Sequence, residues 1–90
     1  MTEEKNMIGM IVRSLSGRDR RRFYVIVGVD ADKTRVYISD GRLRATERPK
    51  AKNPRHLEFI CESREAVEMI REGRLSNRSL RKLLSSYNLT

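Results

Sequence analysis

Apolar and polar positions alternate over 7–15, Met-Ile-Gly-Met-Ile-Val-Arg-Ser-Leu, the period of a strand with one buried face. Ile8, Met10 and Val12 fall on one side, Ile11 and Arg13 on the other. A second strand is predicted over 23–29, where aromatic and β-branched side chains crowd together. Phe23, Val25, Val27 and Val29 share one face of it, and Tyr24, Ile26 and Gly28 the other. Glycine inside a strand predicts a bulge or sharp bend at position 28. After the polar turn Asp30-Ala31-Asp32-Lys33, a third strand runs from Thr34 to Ser39 with Val36 and Ile38 inward. Asp40-Gly41 is a hairpin signal of the type I′ kind, and Leu43 is expected to open a fourth short strand. Residues 46–55 form a basic segment interrupted by Pro49 and Pro54, neither of which can donate to a ladder. A fifth strand is predicted over 56–61, with Leu57 and Phe59 on one face.

Beyond Cys61 the period lengthens. Ser63 is an N-cap candidate, and Glu65 in the first turn suits the positive end of the helix dipole. Ala66, Val67, Met69 and Ile70 recur at helical spacing, and Gly73 is a natural residue just past a helix end. A second helix is predicted from Ser76 or Asn77, with Leu80, Leu83 and Leu84 as its apolar stripe and Tyr87 at its end. The expected fold is mainly β. A small, strongly bent five-stranded barrel spans 7–61, and a C-terminal helical pair spans 62–90.

Charge changes the picture. The 90 residues carry 20 Lys and Arg against 12 Asp and Glu, a net charge of +8. The excess collects in two segments. Positions 18–22 hold four arginines against Asp19, and positions 42–55 hold Arg42, Arg44, Arg48, Lys50, Lys52 and Arg55 against Glu47; elsewhere acids and bases balance. Solubility alone does not require such clustering. A turn carrying Arg18, Arg20, Arg21 and Arg22 is expected to face solvent or a polyanion. Phosphate is the polyanion that rewards fork-shaped guanidinium donors.

Candidate chemistry adds little. The chain holds one Cys and one His, too few for a disulfide or a common zinc framework. His56 is better read as structural or phosphate-facing than as a general base. Cys61 is better read as a small buried hydrophobe than as a nucleophile. Asp30, Asp32 and Asp40 lie in turns, and turn chemistry explains them without a metal. The five glycines form no phosphate-loop or dinucleotide-binding pattern. Neither catalytic residues nor a cofactor are expected, and a chain this short has little room for both a core and a substrate cavity. Met1 to Asn6 lack the features of a signal peptide, no apolar run reaches the ~20 residues of a membrane span, and a cytoplasmic location is expected. Tyr24 and Tyr37 are the candidates for stacking a base, with core packing the simpler reading.

Three segments in order resemble the KOW motif and its surroundings in bacterial KOW-domain RNA-binding proteins. They are Gly9 to Val29, with the Gly17-Arg18-Asp19-Arg20 turn between two strands; Tyr37 with Asp40, Gly41, Arg42 and Arg44; and Pro49-Lys50-x-Lys52-Asn53-Pro54-Arg55-His56-Leu57. Those proteins are in turn similar to a group of archaeal and eukaryotic large-subunit ribosomal proteins. The resemblance covers positions 7–60. It implies an SH3-like barrel that binds RNA, often ribosomal, through Gly17, Arg18 and Arg20 and through Arg42, Arg44, Lys50, Lys52, Arg55 and His56. Arg21 and Arg22, from the same cluster, and Arg13, on the strand leading to it, complete the candidate contact residues. One departure stands out: the family carries a second glycine where this chain has Arg21, so a positive φ there would strain the arginine.

The expected function is non-enzymatic RNA binding in association with the ribosome, its large subunit being the candidate partner, by phosphate and shape recognition. The alternative is a protein-interaction adaptor that docks partners through its helical tail. Duplex DNA binding through Arg78, Arg81 and Lys82 is less well supported, because no helix combines base-reading residues with a basic face.

Overall fold

The computed structural model describes residues 7–17 and 20–88. The N-terminal residues 1–6, and Arg18 and Asp19 of the basic turn, lie outside the described residues. Five strands form one antiparallel sheet: β1 (Met10–Ser14), β2 (Phe23–Val29), β3 (Val36–Ser39), β4 (Lys50–Lys52) and β5 (Leu57–Glu62), in the spatial order β4-β3-β2-β1-β5. Two helices follow, α1 (Arg64–Arg71) and α2 (Asn77–Leu83).

The sheet is open, which corrects the expectation of a closed barrel: β4 and β5 are its two edges and do not pair. It is nevertheless strongly curved. Flat, five strands ~4.8 Å apart would place the edges about 19 Å from one another. Yet Lys52 ends β4 and Leu57 begins β5, with a 3-10 turn, Pro54–His56, compressing the connection. The sheet bends around a cluster of Val12, Tyr24, Ile26, Val36, Ile38 and Leu57, drawn from four of its strands.

Two bulges set the registers. Ile26 faces Ile38 and Gly28 faces Tyr37, so Val27 is the extra residue. The expected bend next to Gly28 is therefore present. Its consequence corrects the predicted faces, because a single inserted residue reverses the alternation. Val25 and Val27 pack on the helix side, whereas Val29 packs with Tyr24 and Ile26. On β5, Ile11 faces Cys61 and Val12 faces Phe59, leaving Ile60 unopposed.

Other expectations also change. Leu43 opens no strand. It is exposed in a turn, and the fourth strand is Lys50–Lys52, inside the basic segment. Only Gly41 of the Asp40-Gly41 pair has a positive φ, so the turn is not type I′. Phe59 and Cys61 are exposed because β5 is an edge strand, which overturns the reading of Cys61 as buried.

The helices cover the other face of the sheet. Ser63 caps α1 by accepting the amide of Ala66, and Ser76 caps α2 by accepting that of Ser79. Past α1, Gly73 takes a positive φ, and the Arg74 and Gly73 amides close back on Met69 and Ile70. Leu80 and Leu84 are buried with Ala66 against Ile11 and Val25, flanked by Phe23, Leu83 and Tyr87. Phe23 and Tyr87 bring their rings to 5.2 Å. The Asn88 carboxamide donates to the Phe23 carbonyl and accepts its amide, standing in for a ladder partner at the start of β2. The apolar stripe of α2 is internal. No described helix is long and apolar enough to cross a membrane.

Candidate nucleic-acid interface

The candidate residues collect in two groups. The first forms where β1 turns over into β2. The Ser14 amide donates to the Arg22 carbonyl, and the Arg21 amide donates to the Ser14 carbonyl, at 3.0 and 2.8 Å. One residue thus faces two, the pattern of a bulge whose first member takes a left-handed backbone and is usually glycine. That member is Arg21, with φ +75°. The bulge projects Arg21 from an otherwise paired segment and leaves it exposed beside Arg20 and Gly17.

The basic segment reaches this turn through three-dimensional contacts. The Leu15 amide donates to the His56 carbonyl at 2.9 Å. The Lys52 ammonium donates to the carbonyl and hydroxyl of Ser16, at 3.0 and 3.3 Å. Asn53 caps the 3-10 turn by accepting the Arg55 amide, which fixes Arg55 and His56, both exposed, beside the β1–β2 turn. Arg20, Arg21, Arg55 and His56 therefore share one rim. Lys52 ties it together while itself nearly buried, so it supports the rim more than it presents charge.

The second group is organised by Asp40, whose side chain is only 1% exposed. One carboxylate oxygen accepts Nε and Nη2 of Arg22 at 3.2 and 3.1 Å. The other accepts the amides of Arg42 and Arg44, both at 2.9 Å. The Arg44 carbonyl in turn accepts the amides of Asp40 and Gly41 and the Ser39 hydroxyl. The expectation that the whole arginine cluster faces solvent is thus corrected at Arg22. Its guanidinium is a structural clamp, because a buried carboxylate needs a paired, hydrogen-bonded cation.

Arg42 is exposed, and Arg44 and Lys50 are half-buried. Arg13 is engaged across the strand pair by Glu58, Nη2 to Oε1 at 2.6 Å. Tyr24 is fully buried, and Tyr37, half-buried, donates its hydroxyl to Asp30, so neither tyrosine joins the rim of Arg20, Arg21, Arg55 and His56.

Two organising residues are not apparent from sequence. Asn77, first in α2, accepts the Thr46 amide at 2.8 Å and donates to Glu47. Glu47 is held below the ordinary 4.5 by its own backbone amide and then by Asn77. Arg81 donates through Nη1 to the Gly41 carbonyl at 2.8 Å, bringing a cation from the helical extension to the Asp40 turn. An Asn at a helix start and an Arg near a helix end are common for local reasons, and nothing in their spacing signals these long-range bonds. No protein-family model matches the chain, and no curated protein matches it.

Proposed function

We propose that the protein is a non-enzymatic RNA-binding module on an SH3-like, KOW-type scaffold, associated with the ribosome. The observation that carries this reading is the convergence of Arg20, Arg21, Arg55 and His56 on one exposed rim, joined by the Leu15–His56 and Lys52–Ser16 bonds. Guanidiniums fixed on a rigid turn suit phosphate oxygens, and a surface poor in stacking rings favours contact with the backbone and shape of folded RNA. Support for the KOW relationship comes from the bulge at Ser14. The position where the motif carries a glycine is the one with a left-handed backbone, and Arg21 occupies it.

The test is fluorescence anisotropy with a large-subunit ribosomal RNA fragment at several salt concentrations. The double variant Arg20→Gln, Arg55→Gln is expected to weaken binding at least about tenfold. It is also expected to lower the slope of log affinity against log salt by about 0.7–0.9 per lost phosphate contact, with the unfolding midpoint unchanged. Unaltered affinity would refute the rim as an RNA surface. In a lysate gradient the native protein is expected to travel with the large subunit at low salt and to be released at high salt.

A further inference from the structure

We infer that the cleft between the Asp40 turn and the end of α2 is a phosphate clamp for the RNA backbone, with Arg42 and Arg81 as its two jaws. This rests on the RNA-binding reading and extends it to the helical segment.

The cleft has a volume of about 290 Å³ and is lined by Arg22, Asp40, Arg42, Arg81, Leu84, Ser85 and Asn88. Three elements distant in sequence supply its guanidiniums: the entry to β2, the turn after β3, and α2. Among the described residues lining the cleft, Asp40 is the single carboxylate, one oxygen taken by Arg22 and the other by two backbone amides. It balances Arg22, and among the described lining residues no carboxylate is left for Arg42 and Arg81.

Arg81 is held through its side chain, Arg42 through its backbone. The Arg42 backbone is fixed on Asp40, and among the described residues its guanidinium makes no hydrogen bond. Arg81 makes one, to the Gly41 carbonyl, and a guanidinium has five N–H donors. The turn is tied to the helix by the Thr46 amide on Asn77 and by Arg81 on the Gly41 carbonyl, and Gly41 packs directly against the backbone of Asn77. Two guanidiniums with open donors, over a small cleft that Leu84 also lines, suit a phosphate with its attached ribose. The volume of about 290 Å³ lies just below the ~300–1,000 Å³ of small-ligand pockets.

The experiment follows the Arg Nε–Hε signals of the full, nitrogen-15-labelled chain by NMR during titration with a ribosomal RNA hairpin and, separately, with inorganic phosphate. Affinities of Arg42→Gln, Arg81→Gln and Arg64→Gln are measured alongside. Arg64 begins α1, beyond the end of β5 that pairs with Met10, and serves as a control of equal charge change. The expected result is that RNA shifts the Arg42 and Arg81 signals. Arg42→Gln should weaken RNA binding about tenfold and lower the salt slope by about 0.7–0.9, while Arg64→Gln stays within about twofold. Because Arg81→Gln also removes the bond to Gly41, Arg42→Gln is the deciding variant. Equal losses for Arg42→Gln and Arg64→Gln, or unmoved Arg42 and Arg81 signals while RNA binds, would overturn the clamp and leave RNA binding standing. Saturation of these signals by inorganic phosphate without displacement by RNA would overturn the assignment to an RNA phosphate. Absence of any RNA binding by the wild-type chain would overturn both readings.

Discussion

Arg22 places two guanidinium nitrogens, Nε and Nη2, on a single carboxylate oxygen of Asp40, at 3.2 and 3.1 Å. The pair joins the entry of β2 to the turn after β3, and Asp40 is almost wholly removed from water. Breaking a buried pair from one side leaves the partner charge without compensation. Asp40→Ala, which also orphans the Arg42 and Arg44 amides, is expected to destabilise the protein by about 3–5 kcal/mol. Arg20→Ala, on the exposed rim, should stay within about 0.5 kcal/mol of wild type. Urea unfolding distinguishes the two, and equal midpoints would show that Arg22–Asp40 is not a structural clamp.

Arg21 poses the opposite case. Its φ of +75° costs a non-glycine residue on the order of 1 kcal/mol. Arg21→Gly is expected to raise stability by up to about 1 kcal/mol, less the extra freedom that glycine gives the unfolded chain. The same substitution is expected to weaken RNA binding several-fold by removing a rim cation. A gain in stability with no loss of affinity would separate the strained position from the proposed function.

Gly41 has a positive φ and also no room. A Cβ at this position would overlap the carbonyl of Asn77. Gly41→Ala therefore combines backbone strain with forced separation of the turn from α2, and a loss above about 2 kcal/mol is expected. At Gly17, also at positive φ, a Cβ would meet nothing nearer than the Lys52 ammonium at 3.7 Å, so Gly17→Ala should cost only the strain, roughly 1 kcal/mol. Thermal unfolding of the two variants measures the difference.

The Glu47 carboxyl provides a pH handle. Its pKa lies below 4.5 because its own amide and Asn77 favour the charged form. A depressed carboxylate contributes stability that is complete above its unfolded value of 4.5 and is lost as pH falls through the lower folded value. Asn77→Ala is expected to move the Glu47 titration up toward 4.5 and to flatten that part of the acid limb. Carboxyl NMR titration of both proteins checks it, and an unmoved Glu47 would place the cause in the backbone alone.

Leu80 tests whether the helices belong to the core. It is fully buried in the cluster with Ile11 and Val25. Leu80→Ala is expected to cost about 2–5 kcal/mol, as cavity-forming changes do, whereas Leu43→Ala, at an exposed position, should cost little. A mild effect at Leu80 would mean that the sheet stands without its helical cover.

The sequence by itself determined the elements and the charge. Local rules place β1, β2 and β3, the Ser63 cap, the start of α2 to within a residue, the ending at Gly73 and the bend near Gly28, because each depends on a residue and its immediate neighbours. The clustering of arginine is likewise a property of the chain. Tertiary structure decided the rest. The open seam, the displacement of the fourth strand to Lys50–Lys52 and the exposure of Cys61 depend on which strands become edges, and periodicity carries no information about that. The reversal of Val29 depends on where the bulge falls when β2 meets β3. The roles of the basic residues divide for the same reason. Arg22, Lys52 and Arg20 look alike in sequence, but Asp40 takes Arg22 and Ser16 takes Lys52, since a cation carried into the interior must find acceptors there. Arg81 joins the Asp40 turn only because α2 lays its leucines on the back of the sheet, bringing a helix end and a distant turn within the length of one side chain.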